Sequence, residues 1–302
     1  MKEKTNIAHS VGRKLLDISR QRNVDYNIVL IWYCLERFLY RLGKSEYSDR
    51  FILKGAMLFS VWTGQPLRAT KDLDMAAYGE FNTNNLESVF AEICGIDAED
   101  DGIVFDTDRI SITPIRENQE YQGQRIRLPV SLGNAKIRLQ IDIGFGDAVK
   151  PAPVRIKYPS LLGFSAPQIR AYSKETVIAE KLHTMVVLGI ANSRMKDFYD
   201  IWIMSKQFDF DGSHLVKAVI ATFKRRKTDL PSQLPLSLTE EFSGDDAVKK
   251  RWNAFISKID TVGDKVSLNQ VIDQIRDFLV QPLEYIQSER VFDKNWLKGR
   301  WR

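Results

Sequence analysis

The chain reads as an α+β protein, strand-rich in the middle and helical towards both ends, on three observations. Apolar residues recur at helical spacing up to about Lys44, and between Ile103 and Ile143 apolar and polar residues alternate with period two. Beyond Pro151, Pro153 and Pro159 the helical spacing returns. With 302 residues, 44% hydrophobic and 27% charged, the chain can bury one large core or two linked ones. The prolines place a division at residue 150, with residues 1–150 carrying the strands and 151–302 mainly helical.

Residues His9 to Lys44 are expected to form scaffold helices broken at Asn23-Val24-Asp25, with Val11, Leu15 and Ile18 before the break and Ile28, Ile31, Leu35 and Phe38 after it. Arg20, Arg22, Arg37 and Arg41 fall to a solvated face. Phe51-Ile52-Leu53 is a short apolar strand, Gly55-Ala56 a small-residue turn into a helix, and Asp72-Leu73-Asp74 a second strand. A helix follows from Phe81 to Ile96, then strands at Ile103–Phe105, Ile110–Thr113, Arg125–Val130 and Ala135–Ile143, the last two joined by a hairpin turn at Gly133-Asn134. Ser173 and Thr176 are candidate caps for a helix running to about Ile190. Further helices span Arg194–Trp202, Leu215–Phe223, Ala247–Ile259 and Leu268–Val280.

Composition narrows the class. No apolar run approaches the roughly 18 residues of a membrane-spanning helix, and Met1 to Asn6 lack the apolar stretch of a signal peptide, so a cytoplasmic location is expected. Cys34 and Cys94 show no metal-ligand spacing and are expected to be reduced core residues. The net charge of +5 is compatible with a polyanionic partner.

Several side chains carry chemistry. Asp72 and Asp74 are two apart on a strand, so both carboxylates point to one face. Such a pair is comfortable when a cation sits between its members, although the same spacing occurs in solvated acidic turns. The Gly55-Ala56 turn lets backbone N–H groups at a helix start approach phosphate oxygens, with Lys54 adding charge; tight strand-to-helix packing would use the same residues. Asp142 shares a face with Gln140 and Arg138 and could supply a third carboxylate for two metal ions. Lys224-Arg225-Arg226-Lys227 is a candidate RNA contact or simply a helix end complementing its dipole, and the tail from Trp296 to Arg302 interleaves bases with aromatics. His183 and His214 read as polar-surface residues.

In combination these residues resemble the AbiEii/AbiGii toxin family, nucleotidyltransferase-fold proteins of bacterial type IV toxin–antitoxin and abortive-infection systems, to which the MenT toxins are related. The resemblance rests on Phe51-Ile52-Leu53-Lys54-Gly55-Ala56, Arg68-x-Thr70-x-Asp72-Leu73-Asp74, Glu180-Lys181-Leu182 and Arg194-Met195-Lys196-Asp197-Phe198-Tyr199-Asp200. It implies a polymerase-β-like mixed sheet with flanking helices, and a mainly helical C-terminal half that contributes active-site residues. It implies that Asp72 and Asp74 hold Mg²⁺, or Mn²⁺, bound to a nucleoside triphosphate. Lys181 would contact the triphosphate, Asp197 would complete the site, and Thr70 stands where the family often has Ser or Thr. The wider superfamily has Gly-Ser where this chain has Gly55-Ala56, so no serine hydroxyl meets phosphate there.

The activity that follows is transfer of a nucleoside monophosphate from an NTP to RNA, foremost a tRNA 3′ end, blocking translation. The expected partners are NTP, RNA and an antitoxin encoded nearby that acts without a stable complex; no membrane is expected. Alternatives are a nucleotidyltransferase acting on a protein or small-molecule hydroxyl, and a catalytically silent RNA- or protein-binding module. On the first reading Asp72→Ala, Lys181→Ala and Asp197→Ala each abolish toxicity while leaving the protein folded.

Overall fold

A computed structural model describes residues 2–64, 66, 70–79, 83–117, 121–146, 149–259, 266–288 and 290–302. The chain divides into two units, Met1–Asp147 with Pro153–Tyr172, and Ala148–Ala152 with Ser173–Arg302. The division therefore differs from a single cut at residue 150, because two strands beyond that residue pair into the first unit's sheet.

In the first unit the helices are α1 (Lys2–Arg22), α2 (Tyr26–Lys44), α3 (Leu58–Thr63) and α4 (Thr83–Gly95). Its strands are β1 (Phe51–Lys54), β2 (Asp72–Ala77), β3 (Ile103–Phe105), β4 (Ser111–Glu117), β5 (Tyr121–Leu132), β6 (Ala135–Phe145), β7 (Val154–Lys157) and β8 (Gln168–Ala171). They form one mixed sheet in the order β3-β5-β6-β2-β1-β8-β7, with β4 also paired to β5. β2 runs parallel to β6, and β1 parallel to β8. The β5–β6 hairpin turns at Gly133-Asn134, where Gly133 takes φ +55°, a left-handed conformation that suits glycine.

Strand alternation sorts the sheet into two faces. Leu73, Met75, Ile126, Leu128, Leu139, Ile141 and Ile143 are buried on one, and their intervening neighbours carry the polar side chains. The core of this unit also includes Phe38 of α2 stacked on Phe90 of α4, with Phe51 of β1 edge-on to Phe90. Asp25 caps α2 by accepting from the Asn27 N–H.

Two of the arginines expected on a solvated face are instead buried. Arg37 Nε donates to Asp101 Oδ2 at 2.9 Å, and Arg41 Nη1 donates to the same oxygen at 2.8 Å. Two guanidiniums hold Asp101 below the usual carboxylate range, outweighing the effect of burial that would raise it. Helical spacing could not reveal this, because the partner lies 60 residues away from Arg41.

The second unit contains α5 (Lys174–Leu188), α6 (Met195–Gln207), α7 (Gly212–Arg225), α8 (Glu240–Gly244), α9 (Asp246–Ile256) and α10 (Leu268–Gln287). A small sheet orders β9 (Phe210–Asp211), β10 (Asn295–Leu297) and β11 (Arg300–Trp301) as β11-β10-β9. Ser173 is the cap of α5, accepting from the Thr176 N–H. The basic–aromatic tail is not an RNA-stacking surface but part of this unit's packing. Trp296 is buried and donates to the Ser205 carbonyl, while Trp301 stacks on Phe278. β-pairing turns those rings inward.

His183 is likewise buried rather than on the surface, edge-on to Phe223. Among the described residues no helix is long and apolar enough to cross a membrane.

Candidate active site

β1 and β2 are antiparallel neighbours, and Lys54 sits directly opposite Asp74. Directly opposed residues share a face, so Lys54, Asp72 and Asp74 all project from the polar face of the sheet. Asp72 is exposed and Asp74 half-buried.

Immediately after Lys54 the chain turns through Gly55 at φ +74°, and a Cβ added there would lie 2.1 Å from Asp74 Oδ2. Only glycine lets the turn adopt this conformation and leaves room for the Asp74 carboxylate. The loop entering β2 is fixed by Thr70, whose carbonyl accepts from Trp32 Nε1 at 2.8 Å. Thr70 Oγ1 donates to the Asp72 carbonyl at 3.3 Å. Arg68 and Ala69 of the same motif lie outside the described residues. A cleft lined by Trp32, Met57, Ser60, Thr70, Tyr158 and Ser160 runs beside this loop.

The donor set suits a hard cation. Two carboxylates on one face, one standing over a bare Cα, match the way Mg²⁺ is bound by one or two carboxylates plus substrate phosphates. Asp142 is employed differently from the third ligand that alternation suggests. It lies opposite Asp74 across the parallel β2–β6 pair, but Arg125 Nε and Nη2 donate to its two oxygens at 2.8 and 2.7 Å. Among the described residues no three Asp, Glu, His or Cys side chains are grouped to hold a metal. The acid pair Asp72–Asp74 is the candidate metal site, with Asp142 beside Asp74 and paired to Arg125.

The second unit holds a separate charged cluster. Asp197 and Asp200 are three apart on α6 and so on one side of the helix. Lys181 of α5 donates to Asp197 Oδ1 at 2.7 Å and to Asp200 Oδ2 at 2.9 Å, and Arg194 Nε donates to Asp197 Oδ2 at 2.7 Å. Both aspartates are 1% exposed and Lys181 is 14% exposed.

Burial alone would raise the Asp197 carboxyl, but attraction to Lys181 and Arg194 and their hydrogen bonds hold it down at about 2. Burial alone would lower the Lys181 ammonium, and the two aspartates reverse that, raising it above its ordinary value. The lysine is thus a fixed cation. Asp200 was legible as a second acid on the Asp197 side of the helix, but its joint hold on Lys181 depends on how α5 packs against α6.

The basic run is divided by its surroundings. Lys224, Arg225 and Lys227 are exposed at the end of α7. Arg226 turns inward, with Nη2 3.6 Å from Glu180 Oε1 and Nη1 3.2 Å from His183 Nδ1.

The family model described as nucleotidyl transferase AbiEii toxin, type IV TA system, matches residues 37–279. The chain belongs to the AbiEii family. It is accordingly a nucleotidyltransferase, and the type IV toxin–antitoxin setting of AbiEii implies an antitoxin partner. Among solved structures, the chain is similar to JHP933 from Helicobacter pylori at 14% identity and a TM-score of 0.47, covering 84% of this chain and 90% of that one. A second H. pylori structure, titled as a candidate nucleotidyltransferase, matches at 15% identity and the same TM-score of 0.47, covering 87% and 96%. No curated protein matches the chain.

Proposed function

We infer that this AbiEii chain moves a nucleoside monophosphate from an NTP to a hydroxyl of RNA, foremost the 3′ end of a tRNA, and thereby stops translation in the cytoplasm. The observation that carries the reading is the Asp72–Asp74 pair over the bare Cα of Gly55, in a chain of nucleotidyltransferase family. Asp72 and Asp74 would hold Mg²⁺, or Mn²⁺ in its place. The bound cation supplies neutralisation of phosphate charge during an in-line displacement at the α-phosphorus.

The chain's own residues do the remaining work. Lys54, on the face of Asp74, offers charge to the phosphates, and the Gly55 turn admits them close to the backbone. Thr70, tethered through Trp32, fixes the approach to Asp72. Within the second unit Lys181, kept protonated by Asp197 and Asp200, offers a fixed positive charge suited to nucleotide phosphate, while Asp197 sets its orientation. The exposed Lys224, Arg225 and Lys227 offer further contacts to RNA phosphates. The antitoxin opposes this activity without a stable complex.

The test is a cell-free translation reaction preincubated with the protein, Mg²⁺ and NTP. Synthesis should stop with the native chain, continue with Asp72→Ala, and resume when fresh tRNA is added after the protein is removed. Arrest that persists with Asp72→Ala, or that fresh tRNA does not relieve, contradicts the reading.

A further inference from the structure

The polar face of β5 and β6 carries a ladder of cations leading away from the acid pair. Four successive rows of the hairpin on that face pair Arg125 with Asp142, Arg127 with Gln140, Pro129 with Arg138, and Ser131 with Lys136. Each row therefore contributes one cation. Rows on one face are about 6.8 Å apart, so the ladder runs roughly 20 Å from the Asp142 row to the Lys136 row. At its start, Asp142 is opposite Asp74 and Gln140 is opposite Asp72, which ties the first two rows to the acid pair.

The charge on this face is unbalanced. Of the residues that these rows place on it, Asp142 is the one carboxylate, and Arg125 already takes it. Among the described residues, no ion pair joins Arg127, Arg138 or Lys136 to a carboxylate. Arg138 and Lys136 are exposed and Arg127 half-exposed. On the outer strand β4, Ser111 and Thr113 are opposite Arg127 and Arg125 and are exposed, adding hydroxyl donors to the same rows. A solvated sheet face would ordinarily mix signs. Here a cation recurs in every row, at intervals comparable with the separation of phosphates along a polynucleotide strand, and carboxylates stand only in the two rows that meet the acid pair.

We propose that this ladder, Arg127, Arg138 and Lys136 with Ser111 and Thr113 alongside, binds the phosphate backbone of the acceptor RNA strand and leads its terminal hydroxyl to Asp72 and Asp74. The proposal rests on the reading of the acceptor as RNA. Arg125, fixed by Asp142, forms the rung nearest the acid pair. Binding of this kind is sequence-independent and depends on counterion release, so affinity falls with salt in proportion to the phosphates neutralised.

The test compares the native chain with the triple variant Arg127→Gln, Arg138→Gln, Lys136→Gln, using a fluorescently labelled RNA hairpin with a single-stranded 3′ tail across a series of salt concentrations. The expected result is weaker binding and a salt slope smaller by about two, at roughly 0.7 for each phosphate of a single strand that is no longer neutralised. The thermal shift on adding Mg²⁺ and NTP should match that of the native chain. If the triple variant folds poorly, the single exposed variants Lys136→Gln and Arg138→Gln should each lower the slope by about 0.7.

Unchanged affinity and slope overturn the ladder. Transfer to RNA that proceeds with the same KM in the triple variant overturns the ladder and leaves the transferase reading standing. RNA binding that needs these residues, in a protein that transfers no nucleotide to RNA, supports the ladder and defeats the transferase reading instead.

Discussion

Arg125 and Asp142 face each other across the β5–β6 hairpin, and the guanidinium occupies both carboxylate oxygens at 2.8 and 2.7 Å. A carboxylate so engaged serves its arginine before it serves a metal. Asp142→Asn should therefore leave the melting-temperature rise caused by Mg²⁺ and NTP largely intact, whereas Asp72→Asn should abolish it. Equal loss in both variants, measured by thermal shift, would return Asp142 to the metal site.

Lys181→Ala should do more than stop catalysis. It leaves Asp197 and Asp200, both 1% exposed, without the ammonium that joins them, and breaking a buried pair in this way costs about 3–5 kcal/mol. The variant should therefore fold with a lower urea midpoint than the native chain. Lys181→Arg keeps the charge but changes its shape, so its urea midpoint should stay near the native value while nucleotide transfer falls. A Lys181→Ala variant of native stability would show that the cluster contributes little to folding.

Acid should destabilise the second unit in two stages. His183 is buried near Arg226, and burial first, then that charge, hold its folded pKa at about 4 against an ordinary 6.5. Between those values the unfolded chain binds the extra proton, so stability falls as pH drops from about 6.5 to 4. Asp197, depressed to about 2 from 3.8, contributes stability that is present above its unfolded value and lost as pH falls through 2. Urea midpoints across pH should show the upper slope flattened in His183→Gln and the lower one in Asp197→Asn. Slopes unaltered by these variants would place the acid sensitivity elsewhere.

Gly55→Ala should be costly despite adding one methyl group. At φ +74° the new Cβ meets Asp74 Oδ2 at 2.1 Å, so either the turn or the carboxylate must move. We expect a lower melting temperature and loss of the thermal shift with Mg²⁺ and NTP. A variant that keeps both would mean Asp74 is free to swing aside without consequence.

Much of this was legible in the sequence where the signal is local. Alternation put Asp72 and Asp74 on one face, Ser173 announced α5, and Gly133-Asn134 announced the hairpin. The Arg125–Asp142 pair was within reach too, since counting outward from that two-residue turn brings those residues opposite each other. What stayed hidden depends on distant packing. Arg37 and Arg41 look like surface residues until Asp101 folds onto them, and the tail's tryptophans look like a stacking surface until β10 pairs with β9. The first unit's claim on β7 and β8 was hidden by the prolines between them and the rest of its sheet.

Nucleotide transfer to RNA by the Asp72–Asp74 pair leaves a covalent mark on the acceptor. The most direct measurement incubates the purified chain with total tRNA, Mg²⁺ and each α-labelled NTP in turn, beside Asp72→Ala, and follows label on a denaturing gel. Label should enter tRNA from at least one nucleotide, and be absent with Asp72→Ala and without divalent cation. Label that enters protein alone, or that persists in tRNA with Asp72→Ala, contradicts transfer to RNA by this pair.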